Sequence, residues 1–346
     1  MGISYVMLEI LSGIVTIPKT EVREVRAEAE LVLSLDEGDI TAMQLSADGA
    51  YLAYIARGES GETELRVLDM EEDLALVWSR VIKGDTLAWL GSYPELVYED
   101  GGDISILDME TSESINLTQS EALDYDPLPT PDGRRILWAN SSAYEGSEGS
   151  ETPELQVMDK TGSDKRMLAT YAPLAIWDPE GLRVLSKQTF VITEEESEND
   201  YLQVAEPGGG GWELFTKGKG EVHYIWWPRG GALYYITTHL NEANAEVRGL
   251  IMQVDDYDPA VQRDVASTDS LGYREEYYTF YPSRVGERLA YVGSEGLECL
   301  DMEDKIIQRF PDLEAETPLA WEEGAEFIYF VGPDGIYRVS AEERPD

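Results

Sequence analysis

Cysteine, histidine and basic residues are scarce in this chain of 346 residues. The single Cys299 excludes an internal disulfide framework and a cysteine-based zinc site. With only His223 and His239, a histidine-rich metal cluster is excluded too. Lys and Arg number 26 against 69 Asp and Glu, which gives a formal charge of −43. Such a surface repels phosphate backbones and anionic bilayers, so we expect no nucleic-acid binding.

The apolar content is ordinary despite this charge. Hydrophobic residues make up 42% of the chain and aromatic residues 10%, which is enough to bury a large core and argues against disorder. The acidity has three interpretations: adaptation to high salt, a surface that meets a basic partner or divalent cations, or simply a soluble acidic protein.

An internal repeat organises the sequence. Its clearest copies begin at Leu45–Tyr54, Pro129–Trp138 and Trp177–Ser186. Each copy predicts a strand, a tight turn at Asp-Gly or Glu-Gly, a second strand, a longer hairpin and a third strand that ends in an acid. The first apolar residues after the turn define seven copies: Leu52, Leu96, Ile136, Val184, Leu233, Leu289 and Phe327.

These copies are spaced by 44, 40, 48, 49, 56 and 38 residues. A period of about 45 is typical of the four-stranded blades of β-propellers. We therefore predict an all-β, seven-bladed β-propeller over residues 30–346, preceded by an arm over residues 1–29. Degenerate turns in three copies leave six or eight blades as alternatives.

The seventh copy lacks a fourth strand, whereas Leu31–Leu35 alternates like a strand and has no blade of its own. We predict that this segment completes the last blade and closes the ring, which removes exposed sheet edges.

The turn residues and the aromatic residues of the repeat have structural roles. Glycines such as Gly49, Gly133 and Gly181 can adopt the positive φ that the turns require, and the carboxylates next to them can accept hydrogen bonds from turn amides. The aromatic column of Trp89, Trp177 and Trp226 favours packing between blades over a ligand platform.

The repeat resembles the PD40 repeats of TolB-type, WD40-like propellers. Thr130–Trp138 and Asn116–Thr118 carry the resemblance, which spans about residues 30–340. It implies a propeller that mostly binds proteins or regulates a neighbouring domain, without a catalytic motif to transfer. Hydrolase relatives have a separate α/β-hydrolase domain, for which this chain has no room.

Motifs for common chemistries are missing. The sequence contains no G-x-S-x-G elbow, P-loop, dinucleotide fingerprint or H-E-x-x-H helix. A serine triad would need His223 or His239, and His223 is better explained as an ordinary loop or packed residue at a strand start. Asp255, Asp256 and Asp258 are spaced like oxygen ligands for a cation such as Ca²⁺, but the Gly and distal Glu of an EF-hand loop are missing, which favours a solvated acidic loop. A central metal held by acids from several blades, as in propeller lactonases, stays open.

Two further features suggest binding. Inserts of variable length at 140–153, 193–200, 238–248 and 256–277 are expected on the face opposite the Asp-Gly turns. Residues 1–17 are mostly apolar, and a helix there would place Ile3, Met7, Ile10 and Ile14 on one face. This segment is interpreted as a truncated signal, a peripheral anchor, a docking helix or an extra strand.

The favoured function is a non-catalytic scaffold for a protein partner, in an extracytoplasmic or membrane-associated complex. The arm or the insert face would make the contact. One alternative is an enzyme with a metal-assisted hydrolase or lactonase site in the channel. A second alternative is a structural subunit of a surface assembly.

The net charge of −43 predicts that self-repulsion weakens the fold at low ionic strength. We expect the melting temperature to rise as NaCl is increased from about 0.01 M to about 1 M, where the Debye length shrinks from about 30 Å to about 3 Å. Differential scanning calorimetry measures this change. A melting temperature that stays constant over the series would contradict it.

Overall fold

A computed structural model describes the chain over most of its length. It covers residues 20–35, 38–72, 74–141, 153–170, 174–188, 200–218, 220–229, 232–240, 246–255, 259–267, 280–283, 288–293, 296–322, 324 and 326–341. Within these ranges the protein is all β, with seven sheets and no helix that could cross a membrane. The predicted seven-bladed propeller is confirmed, and the six- and eight-bladed alternatives are wrong.

Each blade is an antiparallel sheet built from consecutive strands. From the centre outward, the strands of blade one are β3 (Asp39–Leu45), β4 (Tyr51–Arg57), β5 (Thr63–Asp69) and β6 (Ala75–Ile82). Those of blade two are β7 (Leu87–Trp89), β8 (Glu95–Asp100), β9 (Asp103–Asp108) and β10 (Glu113–Asn116). Those of blade three are β11 (Leu123–Pro129), β12 (Arg135–Ser141), β13 (Glu154–Asp159) and β14 (Arg166–Thr170). Blade four consists of β15 (Ile176–Trp177), β16 (Val184–Gln188), β17 (Tyr201–Ala205) and β18 (Glu213–Lys217), and blade five of β19 (Glu221–Trp226), β20 (Leu233–Leu240), β21 (Glu246–Val254) and β22 (Gln262–Ser267). Blade six contains β23 (Tyr281–Pro282), β24 (Arg288–Gly293), β25 (Gly296–Asp301) and β26 (Ile306–Phe310). Blade seven contains β27 (Glu316–Trp321), β28 (Phe327–Gly332) and β29 (Gly335–Ser340).

The first strand of each blade faces the axis. Across neighbouring blades, β3 contacts both β7 and β27, β7 contacts β11, and β23 contacts β27. The fourth strands β6 and β10 alternate toward solvent with exposed side chains. The seven residues that defined the repeat all lie in the second strand of their blade.

Apolar side chains fill the spaces between blades. Seven buried clusters occur in the described residues, and each combines side chains of two neighbouring blades. The cluster between blades seven and one contains Leu52 and Tyr54 of blade one with Tyr329 and Ile336 of blade seven. The core is therefore a ring of layers between blades.

The ring closes through the strand β2 (Glu30–Ser34), which pairs antiparallel with β29 as the outermost strand of blade seven. This confirms the closure predicted for Leu31–Leu35. The Arg338 guanidinium donates to Glu30 Oε2 from Nε at 2.8 Å and from Nη2 at 2.7 Å. Two residues 308 positions apart are thereby joined.

A second N-terminal strand joins blade six. The strand β1 (Glu21–Glu24) pairs parallel with β26 and gives this blade a fifth strand. Val25, Ala27 and Ala29 then pack against the cluster between blades six and seven. The described part of the arm thus covers the outer edge of two blades.

The predicted inserts are partly strand. Residues 238–240 belong to β20 and residues 246–248 belong to β21. The range 256–277 contains β22, the outer strand of blade five, so it is not a single insert between the second and third strands. The expectation of four inserts on one face is wrong for this range.

Gly335 provides a test of ring closure, because a Cβ atom there would overlap the Leu33 carbonyl oxygen of β2. We expect Gly335→Ala to lower the free energy of unfolding by about 2 kcal/mol, as is usual for a steric clash at a packed site. Chemical denaturation measures this. Gly208→Ala is the matched control, since a Cβ atom at Gly208 meets nothing within 4 Å. Equal stability of both variants would contradict the role of β2.

Candidate functional site at the channel mouth

Tight turns connect the first and second strands of the blades at one end of the channel. Ser46 Oγ donates to Asp48 Oδ1 and Thr130 Oγ1 donates to Asp132 Oδ1, both at 2.6 Å. In blade four, the Asp178 carboxylate accepts from two turn amides at 2.7 and 3.0 Å. The acids of these turns are therefore occupied by local bonds, as predicted.

Tryptophans at the ends of inner strands join neighbouring blades. Three indole N–H groups donate to a backbone carbonyl of the preceding blade: Trp89 to Gln44 at 3.0 Å, Trp177 to Leu128 at 2.9 Å and Trp321 to Tyr281 at 2.7 Å. Trp226 stacks on Tyr234 with ring centroids 5.2 Å apart. Trp89, Trp177 and Trp226 are buried, so the predicted packing role is confirmed.

Trp89, Trp177 and Trp226 also line a cavity at this end of the channel. The cavity has a volume of about 320 Å³ and reaches residues of blades one to six. Its described lining, which we call the mouth cavity, consists of Gln44, Ala47, Ala88, Trp89, Gly91, Leu128–Pro131, Ile176, Trp177, Pro179, Tyr224–Arg229, Pro282 and Ser283. Apolar walls with a few polar groups are typical of ligand sites. The aromatic column, for which the sequence favoured packing over a ligand platform, therefore also lines a cavity.

Blade five contributes most to the mouth cavity. The Trp227 ring is tilted against Phe215 at 5.7 Å, and the Arg183 guanidinium lies 5.7 Å from the centre of the Trp227 ring. The Tyr224 hydroxyl donates to the Phe280 carbonyl at 3.0 Å. Burial raises the pKa of Tyr224 far above its ordinary value, with a smaller contribution from Tyr281, so the phenol stays neutral.

Arg229 is the charged residue of the mouth cavity. It is exposed, and among the described lining residues no other carries a charge. The guanidinium donates through Nη2 to the Pro131 carbonyl of blade three. Since blade four lies between blades three and five, this bond spans the mouth of the channel and holds the cation there.

Three inner strands contain register shifts at polar residues. Register shifts in the inner strands β3, β11 and β19 occur at Thr41, at Asp126 and at His223. Asp126 has a positive φ of 53°, and both Asp126 and His223 are exposed although their strands are innermost. Bulges commonly redirect side chains next to functional sites. Solvent reaches both residues, an exposure that the strand pattern did not reveal.

A group of carboxylates lies near Asp126. The pKa of Glu99 is raised to about 7, mainly by burial and also by the charges of Asp85 and Asp126, while a hydrogen bond of 3.3 Å from Thr86 Oγ1 acts in the opposite direction. Although the Asp126 side chain reaches solvent, the protein around its carboxyl group and the charge of Asp85 raise its pKa as well. Partial burial, together with repulsion between neighbouring carboxylates, explains why both pKa values are raised.

The predicted site residues fall largely outside the described residues. Of the cation loop, Asp255 is described, and its amide donates to the Val261 carbonyl at 3.0 Å. Asp256 and Asp258 lie outside the described residues, as do Ile3, Met7, Ile10 and Ile14 of the arm. No group of three His, Cys, Asp or Glu side chains within the described ranges could hold a metal ion. The cation loop and the arm contact stay predictions.

Solved structures share this fold. An oligogalacturonate lyase in complex with manganese is 13% identical, with a TM-score of 0.65 over 94% of this chain and 99% of the other. An oligogalacturonate lyase from Vibrio parahaemolyticus is 12% identical, with a TM-score of 0.65 over 92% and 98%. A puromycin hydrolase is 14% identical, with a TM-score of 0.61 over 91% of this chain and 55% of the other.

No protein-family model matches the chain, and no curated protein matches it. Identities this low establish a common fold and nothing more specific. The chain is therefore a seven-bladed β-propeller that shares its fold with these enzymes.

The raised pKa of Glu99 predicts a pH dependence of stability. Its folded-state value of about 7 exceeds the ordinary 4.5, so the folded state retains a proton that the unfolded chain releases. Stability from this group is complete below about pH 4.5 and is lost as pH rises toward about 7. We expect Glu99→Gln to raise the free energy of unfolding by about 1 kcal/mol at pH 8 and to change little at pH 4, since solvent screens part of the effect.

Urea denaturation at the two pH values measures this difference. Glu113→Gln is the control, because Glu113 lies exposed on the outer strand β10. Equal effects of Glu99→Gln at pH 4 and pH 8 would show that Glu99 ionises normally.

Proposed function

We propose that this protein is a non-catalytic propeller scaffold that binds a partner polypeptide in the mouth cavity. The observation that supports this proposal is the open, aromatic-lined cavity of about 320 Å³ at the end of the channel. Trp, Tyr and Arg are the residues that contribute most often to binding hot spots in protein interfaces. All three residue types occur in the segment Tyr224–Arg229.

Two features of the sequence support the same function. The resemblance of the repeats to TolB-type propellers implies protein binding. The apolar residues 1–17, with Ile3, Met7, Ile10 and Ile14, offer a second attachment to a membrane-associated complex. An extracytoplasmic location belongs to this proposal.

An enzyme is the second candidate. It is favoured by Asp126 and His223, which are exposed at register shifts in the inner strands β11 and β19. The structural neighbours include lyases and a hydrolase, one of them in complex with manganese. Within the described residues no three metal-ligating side chains converge, so this candidate relies on Asp126 and His223 as acid and base. The corresponding site would lie at the end opposite the mouth cavity.

Filling the mouth cavity tests the first proposal. Ala47 lines the cavity within the turn of blade one, and an indole there would occupy the space without changing the inner strands. The partner is first captured with the wild-type propeller, purified, and shown to bind the wild-type protein. We expect this partner to bind Ala47→Trp with a Kd that is at least about tenfold higher. Leu182→Trp is the matched control, since Leu182 is 65% exposed in the corresponding turn of blade four.

Surface plasmon resonance with the purified partner measures the affinities. Unchanged binding by Ala47→Trp would reject the mouth cavity as the binding site. An activity located at Asp126 and His223 would survive Ala47→Trp, which separates the two candidates.

A further inference from the structure

The polar hydrogens around the mouth cavity are mostly used within the protein. The indole N–H groups of Trp89 and Trp177 donate to backbone carbonyls, as does the Tyr224 hydroxyl. The hydroxyls of Thr130 and Ser283 also donate, to the Asp132 carboxylate and to the Arg288 carbonyl. These groups have no hydrogen left to offer a ligand.

The lining backbone also offers few donors. Five lining residues are prolines, which have no amide N–H: Pro129, Pro131, Pro179, Pro228 and Pro282. A ligand in this cavity therefore meets rigid apolar rings on several sides. Its polar atoms depend on a small number of side chains.

Most of the donors that stay available belong to one segment of blade five, and the side-chain amide NH2 of Gln44 in blade one adds a further donor, because Gln44 uses its Oε1 as acceptor from the Trp89 amide. A guanidinium has five N–H groups, and Arg229 donates from one of its nitrogens to the Pro131 carbonyl. The indole N–H groups of Trp226 and Trp227 form no hydrogen bond with any residue that the structure describes. A cavity that presents donors and one cation is complementary to a carboxylate, which accepts through two oxygens.

The net charge restricts the ligand further. The protein carries −43, so a ligand with several negative charges is repelled before it reaches Arg229. A single carboxylate on an otherwise neutral or basic molecule keeps the pairing with Arg229 and avoids this repulsion. The aromatic and proline walls require an apolar body next to that carboxylate.

We propose, on the basis of the proposed function, that the mouth cavity binds the carboxyl-terminal residue of a neutral or basic partner chain, with its apolar side chain in the cavity and its α-carboxylate on Arg229. A chain end combines both groups on one residue. An internal segment would bury more backbone C=O groups, and the proline-rich wall supplies few N–H donors for them. Trp226 and Trp227 would complete the contacts to the terminal residue.

N-acetyl-lysyl peptides that end in Phe, Trp or Leu test this proposal, each prepared as the free acid and as the carboxyl-terminal amide. Isothermal titration calorimetry in moderately high salt measures binding while limiting long-range repulsion. We expect at least one free acid to bind and its amide to bind about tenfold more weakly or worse. Arg229→Gln should remove this difference, and Arg229→Lys should retain part of it because the charge stays without the planar fork.

Arg134→Gln is the matched control. Arg134 lies in the turn of blade three at the same end of the channel, pairs with Asp132 and has a side chain that is 78% exposed. It should keep the preference for the acid. Equal binding of acid and amide, an unchanged preference in Arg229→Gln, or no binding by any free acid would overturn the proposal. If the partner is still lost from Ala47→Trp in that case, the protein-binding function stands and the carboxylate specificity is wrong.

Discussion

The structure depends on the apolar layer that each blade shares with its two neighbours. Four-stranded sheets alone have two faces to cover, and here both faces of every blade are covered by adjacent blades. Both faces of every blade are buried only when the ring is complete, because an open ring would expose the facing sides of blades one and seven to water. The pairing of β2 with β29 therefore matters more than its five residues suggest.

The inner strands change in chemistry along their length for a local reason. At the mouth, they end in tryptophans and prolines that pack against the next blade, so the wall of the mouth cavity is mostly apolar. Further along β3, β11 and β19, register shifts occur at polar residues, of which Asp126 and His223 are exposed. The same strands thus combine an apolar pocket at one end with polar bulges elsewhere.

Much of the fold was predictable from the sequence because the repeat is periodic. The missing fourth strand and the unassigned Leu31–Leu35 together predicted the closure. The strand β1 was not predictable, since Glu21–Glu24 is charged and gives no sign of its parallel partner. The spacing of the tryptophan column predicted that these residues pack between blades. A sequence pattern does not show that the same side chains also line a cavity. Arg229 was missed because its position over the channel depends on a bond to a non-adjacent blade.

The closing contact also sets the order of events in synthesis. Glu30 emerges from the ribosome 308 residues before Arg338. Until then β2 has no partner and the face of blade one that contains Leu52 stays uncovered. Contacts of such sequence separation form slowly, and unpaired edges attract other chains in the meantime. The nascent propeller is therefore expected to need protection by a chaperone, and its strong negative charge helps to keep unfinished copies apart.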